Sequence, residues 1–290
     1  MAPNLAVSLV KDMCATNSPL LFVRQRESSW EPKYNFTLCS VPLHSNFADK
    51  VSLIQYIEVN GVFGADHFIF YNYSSSPVLA PIFSYYAETG KVDVIQWTVP
   101  VYTSRKIGSL LWFFGQVVAL NDCVLRAMLT SRYVVSLDMD EVILPLQTHS
   151  WLSLMEQQRE NHPAAFTFAN TFFRKQYKKN PRFLKNDMVK RYPLAPLLYT
   201  TRDRKVFAYK SRSKFIAQAE HVILANIHFP FKMESGHTSV NVSTGAAILA
   251  HYRRGLGKSE GEVIETRVHD FSERILQRVS VVDAHIQKST

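Results

Sequence analysis

The chain has 290 residues and a mass of 33.2 kDa, with 47% hydrophobic and 20% charged residues. This composition is that of a globular protein and excludes a disordered or fibrous chain, and the length suits one substantial core. A formal net charge of +9 at pH 7 and a pI near 9.4 favour an anionic partner, whether a nucleic acid, a membrane surface or a phosphorylated small molecule.

Residues 1–33 have mixed polarity and no sustained period, and we interpret them as an N-terminal extension. The most apolar early stretch, residues 5–23, is interrupted by Lys11, Asp12 and Asn17. No uninterrupted apolar run in it approaches the roughly 18–20 residues that span a bilayer, and it lacks the order of regions in a signal peptide. We therefore expect either a soluble protein or a fragment without its anchor.

From Tyr34 onward, segments with strand character alternate with segments of helical spacing. The predicted strands are residues 35–42, 67–73, 92–99 and 132–137, and the predicted helices are residues 47–62, 78–89 and 107–129. Strands separated by helices of this length form parallel βαβ units. The sequence therefore predicts an α/β fold with a mostly parallel sheet flanked by helices.

The alternation becomes less regular after Asp140. We predict a helix over 151–160, a strand over 164–173, a loop-rich stretch to about 214 and short strands within 215–231. The spacing of Ser259 and Glu262 is that of a capping box, which predicts that a final amphipathic helix begins there. We therefore divide the chain into an extension over 1–33, one domain over 34–255 and a C-terminal helical segment over 256–290.

Two basic stretches, residues 174–190 and 202–214, are interleaved with aromatic residues. Nucleic-acid-binding proteins usually carry a recognisable module as well, so we interpret these stretches as solvated loops and expect no nucleic-acid partner.

Cysteines and glycosylation motifs give limited information about the compartment. Cys14, Cys39 and Cys123 show no metal-binding or redox spacing, and their pairing stays open. Three motifs of the form N-x-S/T begin at Asn35, Asn72 and Asn241.

The strongest chemical signal is the segment Asp138-Met139-Asp140-Glu141, which follows a predicted buried strand. Ligands of open α/β sheets bind beyond the carboxyl ends of the strands. Side chains two apart in an extended segment point the same way, so Asp138 and Asp140 are expected to converge, whereas Glu141 need not join them. Two hard oxygen ligands suit Mn²⁺ or Mg²⁺.

A phosphatase of the haloacid dehalogenase type is the alternative interpretation of the same motif. There the first aspartate, here Asp138, would be the nucleophile. Such enzymes usually carry the motif near the start of the domain and need a downstream lysine and a further acidic pair. Here about 100 residues precede Asp138, and neither Asp-Asp nor G-D-x-x-x-D follows it.

Several motifs together resemble glycosyltransferase family 92. They are residues 68–73, Gly115-Gln116, Asn121-Asp122-Cys123, residues 133–145, residues 212–216 followed by Ile227-His228, and His251-Tyr252-Arg253. The resemblance implies a GT-A-like (Rossmann-like) α/β fold in a single domain and an inverting β-1,4 transfer. It further implies a UDP-sugar donor, UDP-galactose above all, Mn²⁺ as the metal with Mg²⁺ as the alternative, and a glycan acceptor. The implied setting is the Golgi lumen, for a type II membrane protein whose anchor is not in this chain.

The resemblance also assigns site residues. Asp138 and Asp140 match the metal-binding D-x-D motif, and His251 matches a histidine brought to the metal from the C-terminal part. The residues expected near the nucleotide are Val41, Pro42, Asn72, Gln116, Asn121, Asp122 and Arg253, with Arg254 beside Arg253.

Two features of the site stay open. Asn170 stands where the family pattern has a tryptophan, so the acceptor is expected to differ from that of characterised members. Asp187, Glu220 and Glu234 lie downstream, but no pattern selects one as the general base that an inverting transfer needs. A family member that binds a glycan or nucleotide-sugar without turnover is the non-enzymatic alternative.

Overall fold

The computed structural model describes residues 6–8, 10, 20–22, 31–99, 103–104, 111–158, 162–255, 257, 259 and 261–288. Most of the predicted extension, including Cys14, and the start of the predicted helix 107–129 lie outside these residues. No helix in the described part of the chain is long and apolar enough to cross a bilayer.

The described strands and α-helices, in chain order, have the following bounds. The strands are β1 (Ala6–Val7), β2 (Leu21–Phe22), β3 (Tyr34–Cys39), β4 (His67–Asn72), β5 (Val92–Gln96), β6 (Thr103–Ser104), β7 (Leu111–Trp112), β8 (Ser131–Ser136), β9 (Glu141–Pro145), β10 (Ala165–Phe168), β11 (Asn170–Arg174), β12 (Thr201–Asp203), β13 (Lys214–Ala217), β14 (Val222–Ala225), β15 (Pro230–Met233), β16 (Ser239–Asn241), β17 (Ala247–Arg253) and β18 (Glu262–Ile264). The helices are α1 (Lys50–Phe63), α2 (Ala80–Glu88), α3 (Gln116–Ala127), α4 (Trp151–Gln157), α5 (Asp187–Arg191), α6 (Ala195–Leu198) and α7 (Ser272–Lys288).

The main sheet has the strand order β16-β10-β13-β8-β3-β4-β5. The pairs β8/β3, β3/β4, β4/β5 and β10/β16 are parallel, whereas β13 is antiparallel to both neighbours. Alternate residues of the central strands lie in different core clusters. In β4, Phe68 and Phe70 join the larger cluster, and Ile69 and Tyr71 join the smaller one beside α3. Burial on both faces is what a parallel sheet covered by helices requires.

A second sheet, β18-β12-β11-β17-β9, is mostly antiparallel and was not predicted. The predicted strand 164–173 is in fact two strands, because the chain leaves the main sheet at Ala169 and enters the second sheet at Asn170. This sheet matters for function because β9 begins at Glu141 and β17 carries His251.

The C-terminal segment belongs to the main core. The capping-box prediction was wrong, because Glu262 starts a strand and the helix begins at Ser272. The apolar face of α7 buries Ile275 and Val279 in the larger core cluster. The predicted α/β fold, with a mostly parallel main sheet flanked by helices in a single domain, is confirmed.

Candidate active site

The candidate site lies where the main sheet changes direction. The chain proceeds from β3 to β4 and β5 on one side, and β8 then returns to the other side of β3. Ligands of open α/β sheets bind at such a switch point, beyond the carboxyl ends of the strands. A cleft of about 360 Å³ is found there. Its lining includes Val41, Pro42, His44, Phe47, Phe113, Asp138, Asp140, His251 and Arg253.

The D-x-D segment is a tight turn between β8 and β9. The Glu141 backbone N–H donates to the Asp138 carbonyl at 3.1 Å, and the Glu141 carboxylate accepts the Asp138 backbone N–H at 2.9 Å. Asp138 and Asp140 both line the cleft, but they do so across a turn and not along an extended strand. The Glu141 side chain is only 3% exposed and therefore lies beneath the site.

Asp140 and His251 meet at the cleft. Strand β17 runs antiparallel to β9 with His251 opposite Glu141, and this register places His251 Nε2 3.2 Å from Asp140 Oδ2. For an octahedral ion with bonds of about 2.1 Å, neighbouring ligand atoms lie about 3 Å apart. The two atoms are therefore spaced as two ligands of one ion. A carboxylate oxygen is a ligand of the type that Mn²⁺ prefers, and imidazole is a common ligand of divalent metals.

The other ring nitrogen of His251 faces buried polar groups. Its Nδ1 lies 3.3 Å from Glu141 Oε1 and 3.3 Å from Asn170 Nδ2. A metal-binding histidine usually holds its second nitrogen against a carboxylate or carbonyl, which fixes the ring orientation. Burial, and then the neighbouring Asp138, raise the pKa of Glu141 to about 7, against the opposing effect of Lys214. Glu141 and Asn170 thus position His251 without lining the cleft.

Protonation of the pair follows from its contacts. Burial works against the charged form of Asp140, but the hydrogen bond and charge of His251 outweigh it and lower the pKa of Asp140. Burial likewise opposes protonation of His251, whereas Asp140 and Glu141 raise its pKa overall. A metal cation bound here would replace the proton of His251 as the positive partner of the Asp140 carboxylate.

Lys214 is a site residue that sequence reasoning missed. Its side chain is 0% exposed, and Nζ lies 2.7 Å from Asp138 Oδ1 and 3.5 Å from Glu141 Oε2. Burial opposes its charge, but the two carboxylates outweigh burial and raise its pKa. Lys214 therefore compensates charge beneath the cleft, and Asp138 has one oxygen bound to a lysine. The sequence feature that could have identified it is its position as the first residue of the apolar strand Lys-Phe-Ile-Ala.

Aromatic side chains form one wall of the cleft. Phe113 and Phe114 have φ angles of 49° and 57°, in the left-handed region that bulky residues seldom adopt. His44 stacks on Phe114 with ring centroids 4.3 Å apart and meets the Phe113 ring edge-on. Such strain costs about 1–3 kcal/mol per residue and is concentrated at functional sites. The turn places Phe113 in the cleft lining.

The remaining predicted nucleotide residues fall into two groups. Val41, Pro42 and Arg253 line the cleft, and Gln116 lies beside it with Nε2 3.4 Å from Asp138 Oδ1. Asn72 ends β4 at the same edge, and its Oδ1 is buried with no hydrogen-bond partner among the described residues.

Asn121 and Asp122 are not brought to the cleft. The Asn121 amide pairs with both backbone groups of Ala225, at 2.8 and 2.9 Å. Asp122 accepts from Tyr71 Oη and pairs with Arg126, and it lines a different depression. These contacts give Asn121 and Asp122 structural roles on helix α3. The structure therefore does not place them at the cleft, where contact with the nucleotide was predicted.

The acids considered as general base also lie elsewhere. Asp187 pairs with Lys190 at 2.7 Å on the surface, whereas Glu220 and Glu234 lie beside His221. None of the three lines the cleft.

A second cleft of about 550 Å³ adjoins the first and shares Asp140 and Arg253 with it. Its other lining residues include Asp49, Lys175, Lys179, Tyr199 and Arg254. Asp140 therefore lies between two spaces, of which the second is richer in basic side chains.

Comparison with known proteins gives the chain a family. The model of Glycosyltransferase family 92 matches residues 34–289. A relative, the β-1,4-galactosyltransferase galt-1 of Caenorhabditis elegans, is 26% identical over 118 residues, which make up 40% of this chain and 27% of the relative. The match thus spans about a quarter of that relative's length.

Solved structures that resemble the chain are distant. GalNAc-T7 with UDP, GalNAc and Mn²⁺ has a TM-score of 0.43 and 10% identity, over 80% of this chain and 46% of the other. Residues 1–349 of S. aureus TarS have a TM-score of 0.37 and 12% identity, over 75% of this chain and 60% of the other. The family match, which runs from the first strand of the main sheet to the end of α7, shows that the chain belongs to glycosyltransferase family 92.

Proposed function

We propose that this glycosyltransferase uses a divalent metal, Mn²⁺ above all, to transfer galactose from UDP-galactose to a glycan with inversion at the transferred carbon. The observation that carries the proposal is the 3.2 Å contact of Asp140 Oδ2 and His251 Nε2 at the sheet's switch point, within a cleft that has aromatic walls. The Caenorhabditis elegans relative, a β-1,4-galactosyltransferase by name, supports galactose as the sugar.

In this proposal Asp140 and His251 hold the metal, and Glu141 and Asn170 keep the imidazole in position. When bound, the metal would supply positive charge to the donor diphosphate as negative charge develops on departing UDP. Arg253, which lines both clefts, adds a fixed positive charge near the same position. Asp138, bound to Lys214, contributes the shape and polarity of the floor.

The two clefts suit the two substrates. The aromatic wall beside Phe113 offers a stacking surface for a base, at the edge of the sheet where Val41 and Pro42 begin the first βα connection. The second cleft opens on the other side of Asp140 and is the place we assign to the acceptor glycan. Asp140 would then lie close to the bond that is broken.

A transfer assay with several donors tests this proposal. Glycans are incubated with the protein, Mn²⁺ and one of UDP-galactose, UDP-glucose or UDP-N-acetylglucosamine, and added hexose is detected by mass spectrometry. We expect addition from UDP-galactose, and NMR of the product should show a β-linkage from the α-linked donor. Transfer from another donor alone would remove galactose from the proposal, and an α-linked product would remove inversion.

We also propose that the chain matures in the secretory pathway, in the Golgi lumen for the membrane-anchored protein. A disulfide joins Cys39 at the end of β3 to Cys123 on α3, and such bonds persist in oxidising compartments. Of the three sequon asparagines, Asn35 and Asn241 are exposed, whereas Asn72 is partly buried at the rim of the site.

Glycans are therefore expected at Asn35 and Asn241 and not at Asn72. In mammalian cells, a secretory-targeted form should lose mass on treatment with peptide-N-glycosidase. The change Asn72→Gln should leave that mass shift intact, and Asn35→Gln with Asn241→Gln should remove it. A shift that disappears only with Asn72→Gln would contradict the assignment.

A further inference from the structure

We propose that His221, Glu234 and His237 form a second divalent-metal site, of the zinc type, on the surface away from the cleft. Their ligand atoms all lie within 4.8 Å of one another. His221 Nδ1 is 2.9 Å from Glu234 Oε2, and His237 Nε2 is 3.9 Å from the same oxygen. The site is independent of the proposed sugar transfer, which uses none of the three residues.

The backbone holds the three residues together before any ion binds. His221 ends a 3₁₀ turn directly before β14, and Glu234 directly follows its partner strand β15. The Glu234 N–H donates to the His221 carbonyl at 2.9 Å, and the His237 N–H donates to the Glu234 carbonyl at 3.1 Å. Gly236, with φ of 85°, makes the turn that returns His237 toward the strand ends. The ligands therefore need little ordering on binding.

The rings of His221 and His237 lie face to face. They stack with centroids 3.5 Å apart and planes 13° apart. Glu220 adds a carboxylate 3.6 Å from His221 Nε2. The cluster thus carries negative charge and imidazole nitrogens, which attract a cation.

The donor set points to zinc. Two histidines and one glutamate, with a fourth position for water, are a known ligand set of Zn²⁺. The side chains of His237 and Glu234 are 33% and 55% exposed, so solvent reaches the site. A cluster with two imidazoles and one carboxylate suits Zn²⁺ better than Mg²⁺ or Mn²⁺, whose preferred ligands are mostly oxygens.

A metal here would join the open ends of the β14/β15 hairpin. The other fixed point of the hairpin is Ala225, whose backbone pairs with the Asn121 amide on α3. Past β14, His228 Nδ1 lies 3.0 Å from the Ser213 carbonyl, next to Lys214. Binding at the strand ends would thus stabilise a hairpin that contacts the segment beneath the candidate active site.

Calorimetric titration of Zn²⁺ into the full chain carrying Asp140→Asn tests the proposal, because this change weakens the metal site of the cleft. We expect binding of one Zn²⁺ per chain. Adding His237→Ala or Glu234→Gln should weaken it more than about 100-fold, beyond the loss caused by removing an outer-shell partner. The change Glu234→Gln keeps the side-chain shape, so its effect reports the lost ligand charge.

The matched control adds His162→Asn to the same Asp140→Asn chain. His162 is exposed and has a φ of 45°, which asparagine tolerates. This control should bind Zn²⁺ as tightly as its parent, and circular dichroism should show that every variant is folded. The proposal is overturned if the Asp140→Asn chain binds no stoichiometric Zn²⁺, or if its affinity survives both His237→Ala and Glu234→Gln.

Discussion

The change Asp140→Asn is expected to lower sugar transfer by at least about 100- to 1,000-fold, the loss seen when one preorganised electrostatic contact to developing charge is removed. Asparagine keeps the shape of the side chain but lacks the negative charge that binds a cation. The distance from Asp140 to His251 would be preserved, yet the metal would have one anionic ligand fewer. Initial rates of UDP release with a glycan acceptor measure the effect.

The fold should survive this substitution. The Asp140 side chain is 41% exposed, so its contact with His251 contributes about 1 kcal/mol or less to the free energy of unfolding. Asp122→Asn is the matched control, because Asp122 lies outside the cleft and pairs with Arg126. That variant should transfer sugar at nearly the wild-type rate. Equal loss in both variants would indicate damage to the fold and not to a metal site.

The change Lys214→Met is expected to lower the free energy of unfolding by about 3–5 kcal/mol, because removing one member of a buried ion pair leaves its partner uncompensated. Lys214 is fully buried, and it lies within 4 Å of both Asp138 and Glu141. Methionine fills a similar volume, so the loss reports charge more than packing. Urea unfolding followed by circular dichroism measures it.

Two further variants separate charge from packing. Adding Glu141→Gln to Lys214→Met removes a carboxylate that has lost its lysine, so the double variant should be more stable than the two single effects predict. Lys190→Met, which breaks the exposed pair with Asp187, should change stability little. If Lys214→Met unfolded at the wild-type urea concentration, the charge compensation beneath the cleft would be disproved.

The sequence predicted the main sheet well because its strands follow simple local rules. Residues 67–73 form a compact aromatic and β-branched run, and β4 spans His67–Asn72. Helix α1 begins at the Asp49 cap and ends at Gly64, close to the predicted 47–62. The second sheet was missed because the sequence does not mark where its strands begin. Strand β9 starts directly after the turn at Asp140, and only one residue separates β11 from β10. Which sheet a strand joins depends on contacts distant in sequence.

The candidate site shows the same division. The motif Asp138-Met139-Asp140 and the triplet at His251 could be recognised locally, and the structure brings Asp140 and His251 together. Lys214 could not be predicted, because its partners lie more than 70 residues earlier, with Asp138 76 positions away. Asn121 and Asp122 were predicted to lie near the nucleotide, but their side chains bind neighbouring parts of the fold. Polar residues on a helix can serve either role, and the sequence alone does not separate the two.

The phosphatase alternative required a downstream lysine near Asp138, and Lys214 occupies that position. Membership of a glycosyltransferase family decides against this alternative, and the full sequence lacks the further acidic pairs described above. In the proposed function, Asp140 and His251 would hold the metal that binds the donor diphosphate. The proposed function is therefore tested by whether donor binding depends on the metal.

The most direct measurement is the thermal shift of the wild-type protein with UDP-galactose, in Mn²⁺ and separately in excess EDTA. Binding to the native state alone stabilises it by about 2.7 kcal/mol when the ligand is at 100 times its Kd, so a clear rise in Tm is expected with Mn²⁺. The account predicts that this rise is absent in EDTA and in the Asp140→Asn variant. An equal rise in Tm with UDP-galactose in EDTA would contradict a metal held by Asp140 and His251.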